Sequence, residues 1–472
     1  MADKFDLVVI GSGNAGYHPA IRAAQLGKSV ALVEKESYLG GTCLNWGCIP
    51  TKALLQSASM LSDLKQHGEQ FGVIADGVEF DYSKASEHKN QVVGQLQKGV
   101  TGLMKKNKIK VFTGTGSFVE PKKVKVEGED GEQELEADNV LISTGSAVKS
   151  LPGMDFDGEK VISSDDVVSA ESYPSSVIIL GSGAVGVEFA SMYNDFGVEV
   201  TVVEMLDRIV PLEDPEISAE LKKEFENRDI KLMTSILADP GSLEKTDDGV
   251  KITVSPAGDD GGGEDTLEAE AILVAVGRQT VTDSLGLDGI GIELNDNGTI
   301  PVDDYGRTSV DGVYAAGDVI GGYWLAHAAS HEGLIAVEHM AGEGPLPMDQ
   351  SLVPRVTFCR PEVASFGLSK AEAEEEGYEV KEAKFPFMAI GKALVEGEPN
   401  GFVKVVADAD TNLLLGMHAI GPHVTELIAE GVFAKLVEGT PQEIGMTIHA
   451  HPSLSEVMGE VAMAVDGNAI HM

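Results

Sequence analysis

Two cysteines separated by four residues, Cys43 and Cys48, stand in the run Gly40-Gly-Thr-Cys-Leu-Asn-Trp-Gly-Cys-Ile-Pro-Thr-Lys52, and the third cysteine, Cys359, is remote. Thiols this close can cycle between dithiol and disulfide, or they can help hold a metal. On an ideal helix a five-residue offset sets side chains about 140° apart. A bridge therefore needs a distorted first turn, which Gly47 and Pro50 would allow. A strained, accessible disulfide is easily reduced, which suits a pair that cycles. Zinc needs a closely spaced cysteine pair plus two further ligands, and Cys359 supplies no second pair. The redox reading is favoured.

Near the C-terminus, Ile448-His-Ala-His-Pro-Ser-Leu-Ser-Glu456 offers two imidazoles and a carboxylate. A dithiol must lose a proton before it attacks a disulfide, and imidazole titrates near neutrality. A metal site built on His449 and His451 needs further ligands that the sequence does not show.

The elements that must position these groups are legible in two copies. Leu7–Ile10 reads as a strand, Gly11-Ser-Gly13-Asn-Ala-Gly16 as a glycine turn, the residues to Leu26 as a helix and Ser29–Val33 as a second strand ending at Glu34. Such glycines permit a tight turn and close backbone approach, the helix N-terminus faces a pyrophosphate, and the terminal acid bonds a ribose hydroxyl. Pro19 predicts a local kink in that helix. Val177–Leu180, Gly181-Ser-Gly183-Ala-Val-Gly186, a helix to about Phe196 and Glu199–Val203 ending at Glu204 repeat the unit. The acid lies 23 residues beyond the first glycine in both copies, so the chain carries two dinucleotide sites. An acid at Glu204 would repel a 2′-phosphate, which favours NAD over NADP.

Between the repeats, helical periodicity runs through Gln91–Lys106, short strands pass through Gly114–Gly116 and Val124–Val126, and Val140–Ser146 is a buried strand entering a glycine turn. Residues Ser255–Asp265 read as a solvated hairpin loop, an apolar strand ends near Arg278, and Gly306–Ala316 is a strand leading to Gly317-Asp318. From about Pro345 the pattern becomes mixed strand and helix without a nucleotide motif.

A chain of 472 residues is too long for one core. Its hydrophobic content of 43 % fits a globular protein, and no run of 18 apolar residues predicts a membrane span. A strand predicted from Phe5 leaves no room for a signal peptide, and three cysteines make no secreted disulfide framework, so a cytoplasmic location is expected. The net charge of −41 disfavours nucleic acid and anionic membrane as partners. The acids are dispersed, as in Glu213-Asp214 and Glu374-Glu-Glu376, a pattern that suggests a halophilic source.

Together the glycine units, the cysteine run and Gly317-Asp318 make the chain similar, over essentially its full length, to the flavoprotein pyridine nucleotide–disulfide oxidoreductases, in their lipoamide-oxidising branch. The resemblance implies an α/β fold with two Rossmann-like domains and a C-terminal α+β dimerisation domain. Its expected boundaries are 1–149 for FAD, 150–275 for NAD, 276–347 for a central part returning to the FAD domain and 348–472 for the interface. FAD is implied on Gly11, Gly13, Gly16 and Glu34, with Lys35, Gly41, Thr42, Gly116, Thr144, Gly145, Asp318 and Ala326 around it. NAD is implied on Gly181, Gly183, Gly186, Glu204 and Gly277. The resemblance places Cys48 against the flavin, Cys43 toward substrate, Lys52 near flavin N5 and Glu188 as its carboxylate partner by the nicotinamide. It implies His451 as the base and Glu456 as its orienting acid, reaching the cysteines of the other subunit of a homodimer. The implied reaction is oxidation of dihydrolipoamide, borne by the lipoyl domain of an acyltransferase or by the glycine-cleavage carrier protein, with NAD⁺ as final acceptor. Asn14-Ala15, Pro19 and Gln279-Thr280 depart from the family pattern without removing a reacting group, and Cys359 reads as an inert buried thiol.

Overall fold

Leu7, Val8, Val9 and Ile10 are all buried, so the first strand, Asp3–Ile10, is covered on both faces, as an unbroken apolar run implies for a parallel sheet. In the computed structural model, which describes residues 3–75, 77–129, 131–258 and 263–471, this strand pairs in parallel with Val30–Glu34 and with Gly131–Ile142. Lys110–Thr113 extends one edge, Lys123–Gly128 and Thr115–Glu120 form an antiparallel arm on the other, and Val313–Ala315 also pairs with Gly131–Ile142. Alternate residues serve different cores: Val8 and Ile10 pack with Phe118, Val124 and Ile300, whereas Leu7 and Val9 pack with Ala20, Val100 and Ala336. Leu141 is fully buried at this centre, so Leu141→Ala would cost about 2–5 kcal/mol.

The chain up to Ala53 clusters with Ser83–Lys149 and Arg278–Met348 as one compact unit. Leu54–Tyr82, Ser150–Gly277 and the chain from Asp349 form a second. Within the second unit, a parallel sheet runs in the order Lys231–Met233, Glu199–Val203, Ser176–Leu180, Ala271–Val274, Val161–Ile162. The same unit holds an antiparallel sheet ordered Arg355–Thr357, Glu362–Gly367, Leu414–Gly421, Phe402–Asp408, Val380–Pro386. Every residue of its central strands Phe402–Asp408 and Leu414–Gly421 is buried, Lys404 and His418 included. Lys404 Nζ bonds Asp214 and Glu216 at 2.9 Å each and faces Glu382 at 3.3 Å, so its buried charge is compensated.

Several boundaries differ from the sequence reading. The periodicity at Gln91–Lys106 is the later part of a longer helix, Tyr82–Lys106, whose first turns are polar. The strand expected over Gly306–Ala316 is only Val313–Ala315, because Gly306 (φ 75°) and Gly312 (φ 77°) turn the chain before it. Strands Val250–Pro256 and Asp265–Ala269 pair as the predicted hairpin, while residues 259–262 of its loop lie outside the described residues. At Pro19, where the sequence predicts a local kink, the helix runs on continuously over Asn14–Gln25. A Cβ on Gly333 of the Ala326–Ala341 helix would lie 2.9 Å from Pro19 Cγ and 3.0 Å from the Ala15 carbonyl oxygen. Ala15 is the residue whose carbonyl lost its helical donor to proline, so the irregularity is packed against a glycine.

Candidate functional site

Both glycine turns leave the carboxyl end of a central strand, where open α/β sheets bind nucleotides. In the first, a Cβ on Gly11 would meet the Ser143 carbonyl oxygen at 2.3 Å, and one on Gly16 the Gly11 carbonyl oxygen at 2.0 Å. In the second, Gly181 meets the Ala275 oxygen at 2.6 Å and Gly186 the Gly181 oxygen at 2.0 Å. The outer glycines are thus demanded by the chain's own backbone. The middle ones are different: Gly183 has nothing within 4 Å and Gly13 only Gly41 Cα at 3.9 Å. Space left open above a helix N-terminus, in both repeats, fits a pyrophosphate. Glu34 and Glu204 are buried at the ends of the second strands, each anchored by the serine of its turn. These features fit FAD on the first unit and NAD on the second.

Around the first turn, Gly41 must be glycine, since its Cβ would lie 2.5 Å from Gly13 Cα. The Thr42 carbonyl accepts from Trp46 and Gly47, so Thr42 shapes the cysteine segment. Lys35 is exposed beside Glu36, and Gly116 packs on Ile10 and Val33 inside the sheet. Thr144 Oγ1 donates to Val281 O at 2.6 Å, and Gly145 (φ 69°) turns the chain into Ser146–Val148. Ala326 starts its helix. Gly277 (φ 116°) follows the apolar strand of the second unit.

The cysteines do not share one distorted helix. Cys43 belongs to a short helix, Gly41–Asn45, and Cys48 opens the next, Cys48–Ser62. Trp46 and Gly47 break the path, with both amides donating to Thr42 O at 3.0 and 2.7 Å. Gly47 is needed there, because a Cβ would sit 3.0 Å from that oxygen. Across this interruption the two side chains come within hydrogen-bonding reach, and both residues are half-buried. The Cys43 thiol is hydrogen-bonded to Cys48, which with burial raises its pKa, while Lys52, one turn beyond Cys48, pulls it down. Two residues that the sequence reading missed hold the short helix: Asn45 Nδ2 donates to Gly41 O at 2.8 Å, and Gln97 Nε2 donates to Asn45 Oδ1 at 2.8 Å.

Asp318 follows Gly317 (φ 81°) and accepts from the Ser146 hydroxyl. Arg278 Nε donates to that same hydroxyl oxygen at 2.7 Å, and Glu332 accepts from the Gly317 amide at 2.9 Å. Arg278 and Ser146 close segments that the sequence marks without giving these residues a role, and Glu332 has no local sequence signal. In the second unit, His451 is exposed with Nδ1 2.8 Å from Glu456 Oε1, and Ser453 N donates to Glu456 Oε2 at 2.9 Å. The Ser453 amide and then His451 hold the Glu456 carboxyl below the usual carboxylate range. His449 faces Glu430 instead, at 2.8 Å, and no group of three or more His, Cys, Asp or Glu among the described residues could hold a metal. Glu188 is buried in the second nucleotide helix, Ala184–Phe196, and accepts from Phe358 N at 2.9 Å. Cys359 is buried, its thiol 3.1 Å from Pro361 O and its pKa raised by burial and by Glu188.

Two dinucleotide folds and a redox thiol pair in one chain define a flavin- and pyridine-nucleotide-dependent disulfide oxidoreductase. Residues 5–333 match the pyridine nucleotide-disulphide oxidoreductase family and residues 353–462 its dimerisation domain. Dihydrolipoyl dehydrogenase of Bacillus subtilis is 48 % identical over 480 residues, covering 100 % of both chains. That of Zymomonas mobilis is 44 % identical over 473 residues, again covering 100 % of both. Among solved structures, LpdA of Mycobacterium tuberculosis superposes with a TM-score of 0.90 at 27 % identity, covering 98 % of this chain and 100 % of that one. The flavoprotein disulfide reductase RclA of Escherichia coli gives 0.84 at 27 % identity, covering 97 % and 99 %. The chain belongs to the pyridine nucleotide-disulphide oxidoreductase family, within its dihydrolipoyl dehydrogenase branch.

Proposed function

We propose that this protein reoxidises dihydrolipoamide carried by an acyltransferase lipoyl domain or by the glycine-cleavage carrier protein, with NAD⁺ as final acceptor. The observation that carries the reading is the thiol pair on its interrupted helix, in a chain alike over its full length to dihydrolipoyl dehydrogenases. FAD, when bound, supplies the two-electron relay between dithiol and NAD⁺. His451 Nδ1 is engaged by Glu456, so Nε2 is the nitrogen that takes the proton from a substrate thiol. The resulting thiolate attacks Cys43 of the oxidised pair: a substrate–Cys43 bond forms, the Cys43–Cys48 bond breaks, and Cys48 leaves as thiolate. The second substrate thiol then attacks its neighbouring sulfur, closing the cyclic disulfide and releasing Cys43. Lys52 supplies positive charge beside the reduced pair.

The dimerisation domain supports a homodimer, and in this reading His451 serves the thiols of the second subunit. A cytoplasmic location is part of this reading, and the sparse cysteines are what supports it. The dispersed acids fit a salt-rich interior, where screening removes their repulsion. Melting temperatures in rising KCl check this: a midpoint that does not rise toward molar salt removes the halophilic reading.

The activity is tested by anaerobic addition of dihydrolipoamide to the purified holoprotein, watched by visible absorbance, followed by NAD⁺. Reduction of the chromophore that NAD⁺ reverses, with NADH formed, supports the reading. Reduction by NADH but not by dihydrolipoamide assigns the site to a different disulfide or to another acceptor. Full lipoamide turnover in Cys43→Ser would remove the proposed exchange step.

A further inference from the structure

Arg228 ends the Pro215–Asn227 helix as its cap residue and is half-buried, its side chain 17 % exposed. Its guanidinium makes four hydrogen bonds. Nη1 donates to Ser191 Oγ at 3.1 Å and to Arg360 O at 2.6 Å. Nη2 donates to Ser191 O at 3.2 Å and to Asp195 Oδ1 at 2.8 Å. Its own carbonyl accepts from Asn194 Nδ2 at 2.9 Å. One residue thus binds the second nucleotide helix, Ala184–Phe196, along its last turns and at the same time grips the segment around Arg360.

That segment returns to the same helix face. Arg360 N donates to Ser191 Oγ at 3.0 Å, and Phe358 N donates to Glu188 Oε1 at 2.9 Å. Glu188, Ser191 and Asp195 are spaced three and four residues apart, so they form one stripe of the helix. The Phe358 amide that orients Glu188 and the Arg360 carbonyl that Arg228 holds lie two residues apart on one strand-to-turn connection. A flexible carboxylate side chain gains one rotamer from the amide, and the amide keeps its place because a rigid, planar guanidinium fixes the backbone beyond it.

We infer that Arg228 is a positioning residue for the pyridine-nucleotide half of the reaction: through Ser191 and the Phe358–Arg360 backbone it sets the orientation of Glu188. The inference rests on the reading of Glu188 as the carboxylate beside the nicotinamide. Arg228 touches no reactant. Its loss should therefore be felt by NADH and NAD⁺ and not by the exchange between substrate and Cys43.

The test separates the half-reactions of the holoprotein. Arg228→Met and the milder Ser191→Ala are reduced anaerobically, in one series with NADH and in another with dihydrolipoamide, in a stopped-flow spectrophotometer. The expected result is an NADH-driven rate, or an apparent NADH affinity, lowered about tenfold in Arg228→Met and less in Ser191→Ala, with the dihydrolipoamide-driven rate unchanged. Arg228→Lys, which keeps the charge but not the fork, should restore part of the NADH rate. Equal loss in both series, or loss that follows only a lower melting temperature, overturns the inference, and so does an unchanged NADH series in both variants. Failure of dihydrolipoamide to reduce the parent protein would instead defeat the proposed substrate and leave the NADH series fully readable.

Discussion

Ser182 gives both its amide and its hydroxyl to one oxygen of Glu204, each at 2.8 Å. Ser12 does the same for Glu34, at 2.9 and 2.6 Å. The remaining oxygens also match, accepting from the amide two residues on, Leu206 in one repeat and Glu36 in the other. The residue inside each glycine turn therefore fixes the acid proposed to bond the ribose, and the repeat extends to its hydrogen bonds.

Glu204→Gln should weaken this arrangement and relax cofactor choice together. One amide hydrogen would face the donors that the carboxylate now accepts, which costs about 1–3 kcal/mol of stability. Removal of the negative charge should improve NADP⁺ use about tenfold relative to NAD⁺. Steady-state kinetics with both nucleotides checks it; an unaltered preference would show that Glu204 does not govern the choice.

His451→Gln should lower dihydrolipoamide-dependent kcat by about 10²- to 10⁴-fold, the range for loss of a general base. NADH-driven reduction of an artificial acceptor should stay near the parent rate. Glu456→Gln should cost less, because the imidazole remains and only its orientation loosens. A Glu456→Gln protein more impaired than His451→Gln would overturn these roles.

Gly333→Ala adds a methyl where only 2.9 Å separates it from Pro19 Cγ and 3.0 Å from Ala15 O. Backbone cannot yield as a flexible side chain does, so the change should destabilise by about 1–3 kcal/mol. Because Gly16 and Pro19 share the displaced helix, FAD should also be lost more readily. Thermal melting with a fluorescence assay for released FAD would reveal both effects, and a variant with parental melting and FAD retention counts against this packing.

Acid should unfold the second unit partly through His418. This imidazole is fully buried, with Nε2 3.1 Å from Leu368 O and Nδ1 without a hydrogen-bond partner among the described residues, and burial holds its pKa below the ordinary value near 6.5. Below about pH 6.5 the unfolded chain binds a proton that the folded chain resists, so stability falls as pH drops toward the folded pKa. Glu213, Asp214, Arg355 and Lys404 surround it, so its contribution is read by difference. Lys404 behaves oppositely: burial opposes its charge, but Asp214 and Glu216 outweigh that and raise its pKa. Its contribution is complete below about pH 10.4 and is lost only as the pH climbs through the folded pKa. Urea midpoints at about pH 5 and 7.5 should differ less in His418→Asn than in the parent, and equal differences would clear His418 of the effect.

Much of this was legible because it is local. Glycine turns, terminal acids and the bounds Phe196 and Glu199–Val203 follow from short-range rules of turn and strand chemistry, and the structure keeps them. The cysteine segment was half legible: its need for irregularity could be read from Gly47, but not that the irregularity is a break between two helices. Arg228, Glu332, Gln97 and Gly333 could not be read at all. Glu332 acts on a residue 15 positions away and the others on residues dozens to hundreds of positions away, and nothing adjacent in sequence marks the partner.

The break between Asn45 and Cys48 also gives two identical side chains unlike surroundings. Cys43 lies inside a short helix, where its hydrogen bond with Cys48 and burial raise its pKa. Cys48 begins a long helix, and the dipole at a helix N-terminus favours negative charge. A symmetric couple of thiols is thereby given a polarity, with one sulfur prepared to receive a partner and the other to hold charge. On the proposed roles of Cys43 and Cys48, the backbone itself tells the two sulfurs apart before any ligand arrives.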